Sequence, residues 1–396
     1  MATADPTPQV STPTQSPGSG LLVVPAGMAS VQLESLLANL SAHFPPQSLL
    51  VAAPADVAPD SFPALQFVAA PDANPAVTLT AADFASAHRL AEEHGAQAIL
   101  MLGPDSGSLS GDAIRQLAAA VQAAGTDLAI PCYDLPPNAG LVNSAILYPL
   151  TRALFAAGAR FPLAIDLGLS PRMAERLALA AQRFAATSQA DSLVWPANEA
   201  ALAGFSVLEI DAGERKLPQP TDPDVNAILA QVTGSLFADI EAKAAFWQRP
   251  RRPSAAHNFN KPYAPKDGLP DIAPMLEAFH LAYTNLREIW SLVLPPQSLL
   301  GLKRLSVAEP ASFRMPENLW ARIVYDFLLA YRLRTLNRGH LLGALIPLYL
   351  AWVASHINIL ASGVNPERHI EAVAAAFEAE KPYLVSRWRW PDRFNP

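Results

Sequence analysis

One acid stands where open α/β proteins do chemistry. The apolar run Ala98–Leu102 is followed at once by Gly103-Pro104-Asp105-Ser106-Gly107. If the run is a strand, Asp105 lies at its carboxyl end, the edge at which open sheets take their ligands. A carboxylate there can hold a divalent metal on a diphosphate. The same residues also suit an ordinary strand-to-helix turn, where Asp and Gly are favoured for their backbone conformations. Arg152 and Arg160 offer guanidinium groups to a phosphate, or sit exposed beside helix ends. Arg249, Arg251 and Arg252, with His257, Lys261 and Lys266 nearby, form a basic cluster that neutralises an anionic ligand or simply stays hydrated. Trp388 and Trp390, with Arg387, Arg389 and Arg393, suit packing with cation–π contacts. Other chemistries lack their residues. The sequence has no phosphate loop ending in Gly-Lys-Ser/Thr, no His-Glu-x-x-His, no paired Cys-x-x-Cys and no Gly-x-Ser-x-Gly, and its eight histidines are scattered.

The elements that must position Asp105 are legible in the patterning. Leu21–Val24, Leu49–Ala53, Leu65–Ala69, Ala98–Leu102 and Leu128–Pro131 are strand-length and apolar almost throughout, as parallel strands covered on both faces are. Helical stretches lie between them. Ala81–His94 opens at Thr80 with Asp83 three residues on, Asp112–Ala124 follows Ser110, and Pro171–Phe184 follows Ser170 with proline at the first helical position. Strand, helix, strand in repetition predicts an α/β layer fold with a mostly parallel sheet. After Asp211 the pattern changes: Asp224–Gln248 reads as helix, residues 249–270 as linker or surface loop, and from Asp271 onward only helices are expected. Asn318–Thr335, His340–Leu360 and Pro366–Val385 are the strongest of these. The expected organisation is a Pro/Ser/Thr-rich disordered tail over residues 1–20, an α/β domain over 21–215, a helix and linker over 216–270, and a helical domain over 271–396.

Composition bounds the function. The chain has 396 residues, 51% hydrophobic and 16% charged, enough for two cores. Lys and Arg total 28 against 35 Asp and Glu, a net charge of -7 that gives no diffuse attraction to a phosphate backbone, so nucleic acid is not an expected partner. The single cysteine, Cys132, forms no internal disulfide, and the first residues lack the basic start and apolar run of a signal peptide, so a cytoplasmic location is expected. Leu341–Ala361 contains no Asp, Glu, Lys or Arg over 21 residues and is long enough to span a bilayer. Pro347, His356 and Asn358 interrupt it and no aromatic belt flanks it, so it reads as a buried helix.

Several blocks resemble a known family. Asn143–Leu154 (Asn-Ser-Ala-Ile-Leu-Tyr-Pro-Leu-Thr-Arg-Ala-Leu) and Pro162–Ser170 (Pro-Leu-Ala-Ile-Asp-Leu-Gly-Leu-Ser) are similar to the acceptor-side segment of GT-A, family-2-like glycosyltransferases related to mannosylglycerate and glucosyl-3-phosphoglycerate synthases. Gln231–Phe237, Ile346–Leu350 and Lys381–Val385 followed by Trp388 resemble later blocks of the same group. The resemblance implies a GT-A-like, Rossmann-type α/β domain followed by an all-helical C-terminal domain. It also implies a nucleotide-sugar donor, a small acidic acceptor of the glycerate or phosphoglycerate type, and a divalent cation, magnesium or manganese. Residue by residue, Asp105 matches the first acid of the metal motif and so is expected to bind metal and cofactor. Asp166 matches an acid of the acceptor segment and Lys216 falls in a segment where a lysine holds phosphate or carboxylate. Asp191 is the nearest acid to an expected catalytic position.

The departures are as specific. Gly107 stands where the second acid of Asp-x-Asp belongs, Leu193 where a further acid is expected, and Pro218 where a metal-ligand histidine falls. The strand Leu21–Gly27 lacks the polar turn that holds the nucleotide in many relatives. Gly and Pro supply no side-chain ligand and Leu accepts no proton. Two readings follow: an active sugar transferase, with Asp166 and Asp191 as its catalytic residues, or a catalytically inactive protein serving as a regulatory or scaffold subunit, as a homo-oligomer or beside an active paralogue.

Overall fold

A computed structural model describes residues 20–54, 59–70, 77–123, 125–185, 193–217, 225–250 and 269–391. The Pro-rich tail, Asp191, Pro218 and most of the basic cluster (Arg251, Arg252, His257, Lys261 and Lys266), as well as Arg393, lie outside the described residues.

Seven strands form one sheet: β1 (Leu21–Pro25), β2 (Leu50–Ala53), β3 (Gln66–Ala69), β4 (Ala98–Leu102), β5 (Leu128–Asp134), β6 (Asp166–Leu169) and β7 (Val207–Glu214), in the order β3-β2-β1-β4-β6-β5-β7. Every pairing is parallel except those of β6, which runs antiparallel to both β4 and β5. β4 is buried along its whole length, which is why it reads as an unbroken apolar run. Helices α1 (Ser30–His43), α2 (Ala81–His94), α3 (Gly111–Gln122), α4 (Tyr148–Phe155), α5 (Pro171–Ala185) and α6 (Pro196–Ala203) connect the strands. α1 packs with α3 and α2 with α5, so two helical layers cover the sheet. The starts follow from sequence: the Asp83 carboxylate accepts from the Thr80 N–H and hydroxyl, and Ser110 Oγ accepts from the Ala113 N–H.

The remaining helices are α7 (Val225–Ala242), α8 (Ala244–Trp247), α9 (Ala273–Asn285), α10 (Arg287–Val293), α11 (Pro296–Leu305), α12 (Glu317–Leu333), α13 (Arg338–Ala361) and α14 (Pro366–Arg389). The α/β class, the mostly parallel sheet and the helical C-terminal half are those expected from the sequence. α13 is long and apolar enough to cross a membrane, and most of it is buried among its neighbours. An apolar circumference without a polar face is what a helix surrounded by protein requires.

The second core draws on both sides of residue 215. The second core gathers Trp247, Trp290, Trp320 and Trp352 from the C-terminal helices, but also Ala145, Leu150, Phe155, Leu193 and Trp195 from within the α/β half. Leu193 is therefore a packing residue, and an acid there would sit in an apolar core. Polar contacts fasten the same seam. Arg152 and Arg160 are neither exposed nor free for phosphate. Arg152 is buried and donates to Glu371 (2.5 Å) and Glu378 (3.1 Å) on α14, while Arg160 donates to Glu367 (2.9 Å). The Tyr148 hydroxyl donates to Glu371 as well, and Lys381 Nζ donates to the Ala153 carbonyl.

At the same seam His356 of α13 and His369 of α14 meet Nδ1 to Nδ1 at 2.7 Å, stacked on Trp352 and both buried. Burial holds His356 down at about 3, helped by His369, and holds His369 down at about 4. Both values lie below the ordinary 6.5, so the unfolded chain takes up protons between pH 6.5 and 4 that the folded chain refuses, and stability is lost as pH falls through that window. Between pH 7 and pH 5 the native protein should lose about 3 kcal/mol more than a His356→Gln/His369→Gln variant, measured by urea unfolding of both. Parallel pH slopes for the two proteins would show that the pair does not control acid stability.

Candidate functional site

The order of the sheet reverses direction at β1: the chain passes from β1 outward to β2 and β3, then returns to β4 on the other side. The carboxyl ends of β1 and β4 therefore flank the crevice in which such sheets bind ligands. Three of the four site residues expected from the sequence come together there, and the antiparallel β6 explains how. Asp166 is the first residue of β6 and pairs with Leu102, the last of β4, so it sits at the carboxyl edge of the parallel strands. β7 runs parallel to β5 and delivers Arg215 and Lys216 to the same edge immediately after its last residue.

Asp166 is completely buried and both of its oxygens are engaged. Oδ1 accepts from the Gly103 N–H (3.0 Å) and from Arg215 Nη2 (3.3 Å). Oδ2 accepts from the Tyr133 hydroxyl (2.7 Å) and from Arg215 Nε (2.9 Å). Arg215 has no exposed side-chain surface either. Its other donors go to the Pro104 carbonyl (2.6 Å), the Lys216 carbonyl (2.6 Å) and Ser108 Oγ (3.2 Å). Burial works against the guanidinium charge, but Asp166 outweighs it and the Arg215 pKa is raised. Burial, and then the Asp166 charge, push the Tyr133 hydroxyl well above its usual value, so it stays a donor. Both oxygens of Asp166, the residue expected to orient an acceptor hydroxyl, thus face donors of the protein itself. A buried carboxylate with four donors is a positioning group that fixes the loop after β4.

Asp105 is half-buried in that loop, with a left-handed backbone (φ 59°) that Asp tolerates better than most residues. Its Oδ1 accepts from Gln32 Nε2 (2.9 Å), and its carbonyl accepts from the Ser108 hydroxyl (2.6 Å). Lys216 is exposed, and its backbone N–H donates to Ser108 Oγ (3.3 Å). Ser108 is thus the junction at which Asp105, Arg215 and Lys216 meet.

A divalent cation finds little here to hold it. Among the described residues, no three His, Cys, Asp or Glu side chains come together as metal ligands. Gly107 is not an idle loss of the second acid: a Cβ at that position would lie 2.5 Å from Ser35 Oγ and 3.2 Å from Ser35 Cβ on α1. A magnesium or manganese ion at Asp105 would therefore draw most of its ligands from a bound diphosphate and water.

Arg215 and Tyr133, which hold the site together, were not legible as site residues. β7 carries exposed Val207 and Leu208 among acids, so the apolar-run criterion that finds buried strands passes over it, and an arginine at its end then reads as surface. The signal that could find the pair is a lone basic residue closing an edge strand and a lone acid opening an apolar one.

No protein-family model matches the sequence, and no curated protein matches it. Solved structures resemble it in part. A crystal structure of a mycobacterial protein aligns over 55% of this chain and 73% of its own, with 13% identity and a TM-score of 0.36. Glucosyl-3-phosphoglycerate synthase from Mycobacterium tuberculosis in complex with phosphoglyceric acid aligns over 55% of this chain and 78% of its own, with 14% identity and a TM-score of 0.34. The same enzyme with Mn2+, UDP-glucose and glycerol 3-phosphate gives 15% identity and a TM-score of 0.35 over the same shares. At these scores the likeness carries no argument about chemistry.

The central ion pair has a defined energetic signature. Asp166→Ala or Arg215→Met alone should cost about 3–5 kcal/mol, because each leaves an opposite charge buried without its partner. The double variant Asp166→Leu/Arg215→Met should be no less stable than the worse single variant, by guanidinium unfolding. Additive losses would mean that the two residues act independently.

Proposed function

We propose that this chain is a glycosyltransferase-like protein that takes a nucleotide-sugar in the crevice at the carboxyl ends of β1, β4 and β5. Its acceptor is a small acidic molecule of the glycerate or phosphoglycerate type. One observation carries the reading. Asp105, Asp166 and Lys216, matched separately to positions of one family and far apart in sequence, converge on the loop Gly103–Ser108 at the ligand-binding edge of the sheet. In this arrangement Lys216 is the exposed cation for the anionic donor or acceptor, as charge-assisted recognition requires. Asp166 and Arg215 set the loop. Asp191, in its sequence position beside the buried Leu193, is the acid left to act on an acceptor hydroxyl.

A second reading, a regulatory or scaffold subunit without turnover, draws on a different observation: Asp166 is saturated by its own protein and Asp105 already has a partner in Gln32. Such a subunit acts in the cytoplasm as a homo-oligomer or beside an active paralogue.

Calorimetric titration with UDP-, GDP- and ADP-sugars separates the two. The transferase reading expects micromolar binding of one nucleotide class, weakened about tenfold in Lys216→Ala, the loss of one charge-assisted hydrogen bond. If the folded protein binds none of them, the scaffold reading replaces it.

A further inference from the structure

The loop after β4 meets α1 at Asp105, Gly107 and Leu109. Gln32, Ser35, Asn39 and His43 recur on α1 at intervals of three, four and four residues, which places them in one stripe on a helix surface. The neighbouring stripe, Leu33, Leu36, Leu37 and Leu40, is buried in the first core. An amphipathic helix of this kind would ordinarily turn its polar stripe to water. Here the polar stripe also meets residues 105–111: Gln32 and Asn39 are half-buried against them, while Ser35 and His43 keep much of their surface in water. Gln32 Nε2 donates to Asp105 Oδ1, Ser35 lies against Gly107, Asn39 Nδ2 donates to the Leu109 carbonyl (2.8 Å), and the His43 ring occupies the space beside Gly111. Arg115 of α3 adds a donor to the His43 carbonyl (3.0 Å).

The Gln32 amide is oriented for this contact. Its Oε1 accepts from the Ala29 N–H at the start of α1 (3.1 Å), which leaves its Nε2 hydrogens to face Asp105. One side chain therefore caps the helix and binds the loop at once. Gly107 and Gly111 are the facing side of the same fit, because a Cβ at either position would require Ser35 or the His43 ring to shift.

We infer that the polar stripe of α1 is the occupant of the Asp105 carboxylate, so that Asp105 is a positioning residue that latches this helix over the loop and is not the ligand of a divalent cation. This goes beyond the proposed function and stands or falls without it, since it concerns what Asp105 holds and not what the crevice binds. A metal ligand and a latch place different demands on position 105. The latch needs only an oxygen that accepts from Gln32, which the Oδ1 of asparagine also supplies, and asparagine tolerates the left-handed backbone equally well. A hard divalent cation needs the carboxylate charge.

Two measurements on the full chain decide it. In manganese titrations followed by electron paramagnetic resonance, the wild type and Asp105→Asn should bind the metal alike. A wild-type site that disappears in Asp105→Asn would overturn the inference. In amide hydrogen exchange, Asp105→Ala and Gln32→Leu should each speed exchange over the first turns of α1 by about tenfold, the worth of one charge-assisted bond, and the two together by no more than either alone. Asp105→Asn should restore protection close to that of the wild type. Unchanged exchange in Asp105→Ala, or exchange in Asp105→Asn as fast as in Asp105→Ala, would equally overturn it.

Discussion

A fully buried ion pair sits at the edge where the sheet meets its crevice, and the geometry of that edge follows from it. Asp166 and Arg215 have given up all contact with water, so each remaining lone pair and N–H needs a protein partner. The partners come from three stretches distant in sequence: the loop Gly103–Ser108, Tyr133 on β5, and the turn into Lys216. Satisfying one pair of charges thus draws the ends of four strands into register. The pairing is possible only because β6 is reversed. A parallel β6 would open at the opposite edge and leave Arg215 without a counter-charge. Gly103 completes the arrangement, since a Cβ there would lie 2.8 Å from both Ile165 Cβ and the Ile165 carbonyl, in the residue just before Asp166.

The seam between the halves uses the same device with different residues. Arg152 and Arg160 on one side face Glu367, Glu371 and Glu378 on α14, with Tyr148 between the two guanidinium groups. Further into the helical half, Asp326 takes the Tyr383 hydroxyl and Arg387. Trp388 lies edge-on to Trp247 with Arg332 over its face at 4.2 Å, a packing role like that expected for the C-terminal aromatic and basic residues. Several of the buried charged residues of this lightly charged chain therefore lie where surfaces meet. Buried pairs of this kind set geometry more than they add stability.

What the sequence revealed follows the physics of each element. Strands buried on both faces announce themselves as apolar runs, and β4 was legible to the residue. The helices with caps or strong periods, α2, α5, α12, α13 and α14, were read within a turn or less at their starts. α1 escaped because its N-cap is Ala29, which carries no capping side chain to mark the start. β6 and β7 escaped because a four-residue strand and an exposed edge strand lack the apolar signature. Of the site, the position of Asp105 after β4 was legible, while the surroundings of Asp166 depended on Arg215, 49 residues away. Gly107 reads as a lost acid in sequence and as a fitted contact in three dimensions.

The placement of α4 in the second core has a bearing on synthesis. Arg152 is translated well before its counter-charge, Glu371, which follows 219 residues later near the end of the chain. Until then the nascent α/β half presents an apolar helix and two arginines to solvent. Contacts between such distant residues close slowly, and the uncovered surface is open to aggregation meanwhile. The first half of this protein is thus finished only once α14 has been made, and a transcript truncated before α14 would yield a protein incomplete in both halves.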